Sequence, residues 1–272
     1  PASRSGVCRC QSGHASEQGR RTSNEDALAF NDDLQDAAFG DKLAYYAVYD
    51  GHNGSDAALV CSRIVHTQLL YHRDFPAHPE RFFAEGYARA DALVTAACEK
   101  SGATAVTAIV FGSTLFVANI GDSECILVSR SDTAHAHAHT HTVLTVKHLL
   151  ESDEERQRVQ ELGGMVVFGR LFGSLQVSRA FGDTEFKKPG KEYVSIKPNV
   201  ATRPLTRTDQ FAIIACDGLW DKVSYDDAMR EAARLKEAGK TPEEVARHLC
   251  QLTLDRGSTD NVTVIVVYFL WS

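Results

Sequence analysis

The sequence predicts one domain of mixed α and β content whose strands are mostly antiparallel. Apolar runs of strand length follow one another across turns as short as Gly112-Ser113, which suits an antiparallel meander. Most of these runs are near-continuously apolar, so their strands are expected to be covered on both faces. Segments with helix start and stop residues fall between and after them. The 272 residues fit one large domain or two small ones. With neither an internal repeat nor an obvious linker, one domain is the reading.

Residues 1–20 are polar and small, rich in Ser, Gly and Arg. The strand runs are Ala27–Phe30, Lys42–Tyr49, Thr104–Phe111, Thr114–Ile120, Cys125–Ser129, Met165–Phe168, Phe211–Cys216 and Asn261–Leu270. Helical signals cover Ser55–Tyr71 and Pro79–Lys100. Ser152-Asp153-Glu154-Glu155 reads as a capping box opening a short helix to about Leu162, which Gly163-Gly164 ends. A further helix over Ser224–Ala238 has Ser224 as N-cap and Gly239 as terminator. Thr241-Pro242-Glu243-Glu244 joins a Thr cap, a Pro in the first turn and a Glu at the third position, and opens a helix to about Leu254.

Acidic residues (36) outnumber basic ones (29), for a net charge of −7, while 43% of residues are apolar. That is too apolar for a disordered chain. The acidic balance does not favour nucleic acid, and no apolar run approaches a membrane span. The seven cysteines sit mostly singly in apolar segments, as buried thiols of a reducing, intracellular compartment, cytoplasmic or nuclear. Cys8-Arg-Cys10 reads as part of a terminal strand rather than a metal site. No basic-then-apolar signal pattern stands at the N-terminus. Ala134–Thr142 alternates His with Ala or Thr; such tracts can bind transition metals, but a solvated hairpin loop is the expectation.

Carboxylates recur at strand ends. Asp50 follows Lys42–Tyr49, Asp122 follows Thr114–Ile120 and Gly121, and Asp217 follows Phe211–Cys216. Glu25-Asp26 precedes Ala27–Phe30, and Asp260 precedes Asn261–Leu270. Each alone is readable as a turn, as Asp50-Gly51 and Asp217-Gly218 are common turn dipeptides. Together, antiparallel strands would bring them to one edge, where their mutual repulsion calls for a cation. Oxygen ligands suit Mg²⁺ or Mn²⁺, less so Ca²⁺; no His/Cys spacing beside them suits Zn²⁺. Arg21 offers a guanidinium fork for phosphate oxygens. His52 offers a proton for a leaving oxygen, and Gly51 a carbonyl that the chain can bring close. Hydrolysis of a phosphate ester fits this set, without a P-loop or a cysteinyl nucleophile.

The stretches RRTSNEDA, VYDGHNGSDAA, SGATAV, NIGDSE, GSLQVSRAFGD, ACDGLWD and GSTDNVTVIVV span residues 19 to 269 in order. In them the chain resembles the metal-dependent protein phosphatases of type 2C. The resemblance implies an α+β fold, a four-layer α-β-β-α sandwich of two antiparallel sheets flanked by helices, with residues 1–18 as an extension and 19–272 as the catalytic domain. It implies dephosphorylation of phosphoserine and phosphothreonine in proteins by direct attack of a metal-bridging water, and a monomer. Asp50 would bridge two metals. Asp217 and Asp260 would complete the ligands of the first; Glu25 and the Gly51 carbonyl would bind the second. Asp122, Asp217 and Asp221 would form a weaker third metal site. Arg21 would hold phosphate, His52 would be the general acid, and Asp26 and Asn261 would support the ligands.

The chain departs from the family pattern at three places. Glu124 replaces the Arg that often follows G-D-S. Phe172 stands where a polar residue is common. Lys147-His148-Leu149-Leu150 replaces the usual D-H-K-P. None is an expected metal ligand; they bear on substrate preference and on a flap over Leu162–Gly182. The basic stretch Lys187–Lys191 reads as a solvated loop, with acidic partners as the alternative. Ser178 and Arg179 read as structural and Trp220 as core. Two rival functions remain: a catalytically silent scaffold of the same fold, and a hydrolase of small phosphate esters.

Overall fold

The computed structural model describes residues 8–35, 39, 42–131 and 139–271. In chain order the first elements are β1 (Cys8–Glu17), β2 (Ala27–Asn31), β3 (Leu43–Tyr49), β4 (Gly51–His52), α1 (Asp56–Leu70) and α2 (Pro79–Ala97). Then come β5 (Gly102–Ala103), β6 (Ala105–Phe111), β7 (Thr114–Ile120), β8 (Glu124–Arg130), β9 (His139–Val143) and α3 (Asp153–Glu161). The expected flap holds β10 (Val166–Val167), β11 (Arg170–Leu171) and β12 (Phe181–Gly182), and the basic stretch after it holds β13 (Lys187–Lys188) and β14 (Lys191–Glu192). Last are β15 (Asn199–Pro204), β16 (Asp209–Ala215), α4 (Asp217–Trp220), α5 (Tyr225–Glu237), α6 (Pro242–Asp255) and β17 (Val262–Trp271).

Two five-stranded sheets, β1-β17-β16-β8-β9 and β15-β7-β6-β3-β2, form the centre. Every pairing within them is antiparallel. The run over β3 shows why the layers stack. Leu43, Tyr45, Ala47 and Tyr49 join the core under α1 and α2. Ala44, Tyr46 and Val48 join the core between the sheets. A strand with period-2 side chains and apolar residues at every position has two faces to bury. The second sheet does the same, facing α5 and α6 on its outer side. The fold is the α+β sandwich of four layers.

Some expectations need correction. Residues 8–17 are no extension: β1 pairs with β17 along its whole length, Cys8 to Trp271 through Glu17 to Val262. The boundary expected at residue 18 therefore falls inside the fold, while Cys8 and Cys10 lie on a terminal strand. The edge strand β15 carries no clear apolar run and was not anticipated; its one proline, Pro204, ends it at the sheet edge, where the missing N–H is tolerated. The Ser152 box does not form: Ser152 makes no side-chain cap, because Glu155 turns inward to Arg179 and Ser178. The Thr241–Glu244 box does form. Lys187 is not solvated; its ammonium bonds both Asp91 carboxylate oxygens, at 2.8 and 2.9 Å, and the Ala180 carbonyl. Of the His-rich stretch, 139–142 pairs with β8, and residues 134–138 lie outside the described residues. Trp220 is buried against the outer core of its sheet.

Candidate metal centre

Strand direction gathers the carboxylates. β3 and β7 both run antiparallel to β6, so their C-terminal ends, which carry Asp50 and Asp122, lie at one edge. β2 runs against β3, so Glu25 and Asp26 at its start reach that same edge. In the other sheet β16 ends and β17 begins together, which pairs Asp217 with Asp260. The two edges meet in a cleft of about 650 Å³ lined by Arg21, Glu25, Asp50, Gly51, His52, Asp122, Asp217, Asp221, Asp260 and Asn261.

Ligand atoms of Asp50, Asp122 and Asp217 in the cleft lie within 4.8 Å of one another, and so do those of Asp26, Asp50 and Cys216. The buried carboxylates repel. Burial first, then the charges of Asp26, Asp217 and Asp122, push Asp50 well above the usual carboxylate range. Burial and the Asp217 charge push Asp122 up to about 7. Burial raises Asp217 too, with Asp221 adding to it. Asp26 rises to about 6 through burial, against hydrogen bonds from Thr263 and Cys216. A cation is the natural remedy for such a set. Asp26 Oδ1 is buried with no hydrogen-bond partner, and the oxygen-rich donor set suits a hard divalent ion. A side chain on Gly51 would strike the Glu25 carbonyl oxygen, so glycine lets the two backbones close the site. These residues fit Mg²⁺ or Mn²⁺.

Glu25, Arg21, Asp260, Asn261 and Asp221 line the cleft outside those tight groups, while Asp26 belongs to one of them. Glu25 Oε2 accepts from Gly54 N at 3.0 Å. Asp260 Oδ2 accepts from Arg21 Nη2 at 2.7 Å, which parks the guanidinium at the mouth. Asn261 is a clamp: Oδ1 accepts from Glu25 N, while Nδ2 donates to the carbonyls of Gln18 and Ser23. Asp26 Oδ2 accepts from Thr263 Oγ1 at 2.6 Å. Asp221 stands beside Lys147, 4.0 Å away.

Three residues were not singled out for their roles from sequence. Asp183 is the partner of His52, its carboxylate oxygens 2.8 and 2.9 Å from Nε2 and its side chain fully buried. It ends GSLQVSRAFGD and adopts φ 54°, uncommon for a residue with a side chain. A side chain on Gly102 would strike both partners of this pair. The other two are Glu124 and Lys147, noted only as departures: Lys147 Nζ lies 3.2 Å from Glu124 Oε1, and Tyr225 donates to Glu124 Oε2 at 2.6 Å. Burial would lower the Lys147 ammonium, but Glu124 outweighs it and holds it raised.

Beside the cleft, the flap rests on a second ion network. Glu155 accepts from Ser178 Oγ at 2.5 Å, from Arg179 and from Arg158. Arg179 also reaches the Lys197 carbonyl. Ser178 and Arg179 thus tie the flap to α3.

The family profile described as Protein phosphatase 2C matches residues 11–262. The chain is 42% identical over 272 residues to "Protein spalten" of Dictyostelium discoideum, an alignment covering 96% of this chain and 28% of that protein. It therefore spans little more than a quarter of that relative. With "Probable protein phosphatase 2C 59" of Oryza sativa subsp. japonica it shares 34% identity over 265 residues, covering 95% of this chain and 75% of that protein. Among solved structures, "serine-threonine phosphatase 2C from Toxoplasma gondii" has a TM-score of 0.81 at 23% identity, covering 96% of this chain and 95% of that one; this is a likeness of fold.

Proposed function

The chain belongs to the protein phosphatase 2C family, and on that premise we propose that it hydrolyses phosphoserine and phosphothreonine in protein substrates with Mg²⁺ or Mn²⁺. The observation that carries the reading is the convergence of Asp50, Asp122 and Asp217 within 4.8 Å in the cleft that Arg21 and His52 also line. Asp50, the Gly51 carbonyl, Glu25, Asp217 and Asp260 would hold two cations, with Asp122, Asp217 and Asp221 holding a weaker third. When bound, the cations supply Lewis acidity that activates water and offsets phosphate charge.

The chain's own residues do the rest. Arg21 leaves Asp260 to fork onto the substrate phosphate. His52 donates a proton to the departing seryl or threonyl oxygen, a step worth about 10²–10⁴-fold. Asp183 orients the imidazole through Nε2 and offers it a buried counter-charge, leaving Nδ1 as the nitrogen for substrate. All seven cysteines are free thiols, which supports an intracellular, reducing location. No helix among the described residues is long and apolar enough to cross a membrane.

The test is hydrolysis of a phosphothreonine peptide with Mn²⁺, with and without EDTA. Turnover that EDTA abolishes is expected. Binding of Mn²⁺ without turnover would point instead to a silent scaffold.

A further inference from the structure

The two departures Glu124 and Lys147 stand 23 positions apart in the chain yet meet in one ion pair, Nζ to Oε1 at 3.2 Å. The pattern that the chain resembles carries a cation at the first position and an anion at the second; here the signs are exchanged. Glu124 is buried, its side chain 3% exposed against 32% for Lys147, and Tyr225 fixes its other oxygen at 2.6 Å. The carboxylate is therefore the buried member of the pair, fixed by Tyr225, and the ammonium is the more exposed one. That end points toward the carboxylates: Asp221 Oδ1 is 4.0 Å from Nζ. Lys147 is absent from the lining of the cleft itself, so it approaches the acidic cluster from behind.

We propose that Lys147, anchored by Glu124, is a tethered cation that partly neutralises the Asp122–Asp221 end of the cluster and so weakens the binding of a third divalent ion there. The inference rests on the metal reading of the cleft and deepens it. Two physical facts carry it. A monovalent charge fixed on a side chain loses no translational freedom on arriving, whereas a free ion does. And a like charge beside a cation site costs that site affinity at this range, even when partly screened. Lys147 and a third ion would therefore compete for the same negative field. The sites at Asp50 with Asp217, Glu25 and Asp260 keep their full set of carboxylates and stay tight.

The experiment is Mn²⁺ binding to the intact chain, followed by calorimetry and by the paramagnetic resonance of free Mn²⁺, in two variants of opposite sign. Lys147→Met removes the tethered charge and is expected to tighten the weakest Mn²⁺ site about tenfold. Glu124→Gln frees Lys147 from its counter-charge and is expected to loosen that same site several-fold. Lys147→Arg should stay within about twofold of the parent, because it keeps the charge. A role confined to structure would move both variants in one direction, through loss of stability. Should the Lys147→Met chain fail to fold, Glu124→Gln alone decides, since it leaves Lys147 with Asp221 and solvent. Unchanged affinity of the weakest site in whichever of the two folds would overturn the proposal while tight Mn²⁺ binding persists. Absence of tight Mn²⁺ binding in the parent chain would instead overturn the metal reading, and this proposal with it.

Discussion

Two buried carboxylates a short distance apart in the fold behave in opposite ways. Asp122 in the cleft is pushed up to about 7 by burial and by the charge of Asp217. Glu155 under the flap is buried as well, yet hydrogen bonds from Arg179 and Ser178 outweigh that burial and hold it down at about 2. Burial raises both; the neighbours decide the outcome. The flap network is a finished ion cluster that stabilises the fold. The cleft gathers like charges, and a divalent cation held there would offset them. A family member that binds divalent cations stores its site in this form.

The contrast can be broken at either end, and the largest effect is expected in the cleft. Asp50→Ala should lower phosphothreonine turnover by at least about 10³-fold, since it removes the group shared by both converging sets. The chelated variant should melt no lower than the parent, because a repelling charge has gone. A drop of many degrees in its melting temperature would mean that Asp50 serves the fold rather than the site. His52→Gln comes next, with about 10²–10⁴-fold expected on phosphothreonine and a smaller loss on nitrophenyl phosphate, whose leaving group needs no proton. Equal losses on the two substrates would remove His52 from the general-acid role.

Under the flap the same operation should act on stability. Glu155→Ala leaves Arg179 and Arg158 with backbone carbonyls but without their carboxylate and should cost about 3–5 kcal/mol in urea unfolding, with Mn²⁺ affinity unchanged. The two regions also predict a pH profile for the chelated protein. Asp122 has its pKa raised by folding, so its contribution is present at low pH and lost as pH rises through about 7. Glu155 has its pKa lowered, so its contribution is present above its ordinary value of 4.5 and lost as pH falls through about 2. Stability should therefore be greater at pH 5 than at pH 7.5, and Asp122→Asn should reduce the difference, leaving the part owed to Asp26 and the other raised carboxylates. The smallest effect is expected for Asp183→Asn, about tenfold in kcat, because it loosens the imidazole without removing it.

Much of this was legible in the chain. The run Lys42–Tyr49 declares a strand buried on both faces, and the acids at Asp50, Asp122, Asp217 and Asp260 stand at the ends of apolar runs in the sequence itself. Strand parity did the rest. What was hidden depended on contacts distant in sequence. β1 has the sequence CRCQSGHASE, with no apolar run; it is a strand because β17 offers ten partners in register. Glu155 looked like a helix cap, and local spacing had no means of showing that Arg179, 24 residues on, would claim it. Asp183 is 131 residues from His52, and nothing near either residue announces the pair. Glu124 and Lys147 each read as a local departure, and only their meeting gave them a common meaning.

The like charges of the cleft favour binding of a divalent cation. A Mn²⁺ titration of thermal stability at pH 7.5, on the parent chain and on Asp217→Ala, tests it most directly. The melting temperature of the parent should climb with Mn²⁺, as binding to the folded state alone requires, and the climb should be largely lost in the variant. A parent chain whose melting temperature ignores Mn²⁺, or a variant that climbs as steeply as the parent, would contradict it.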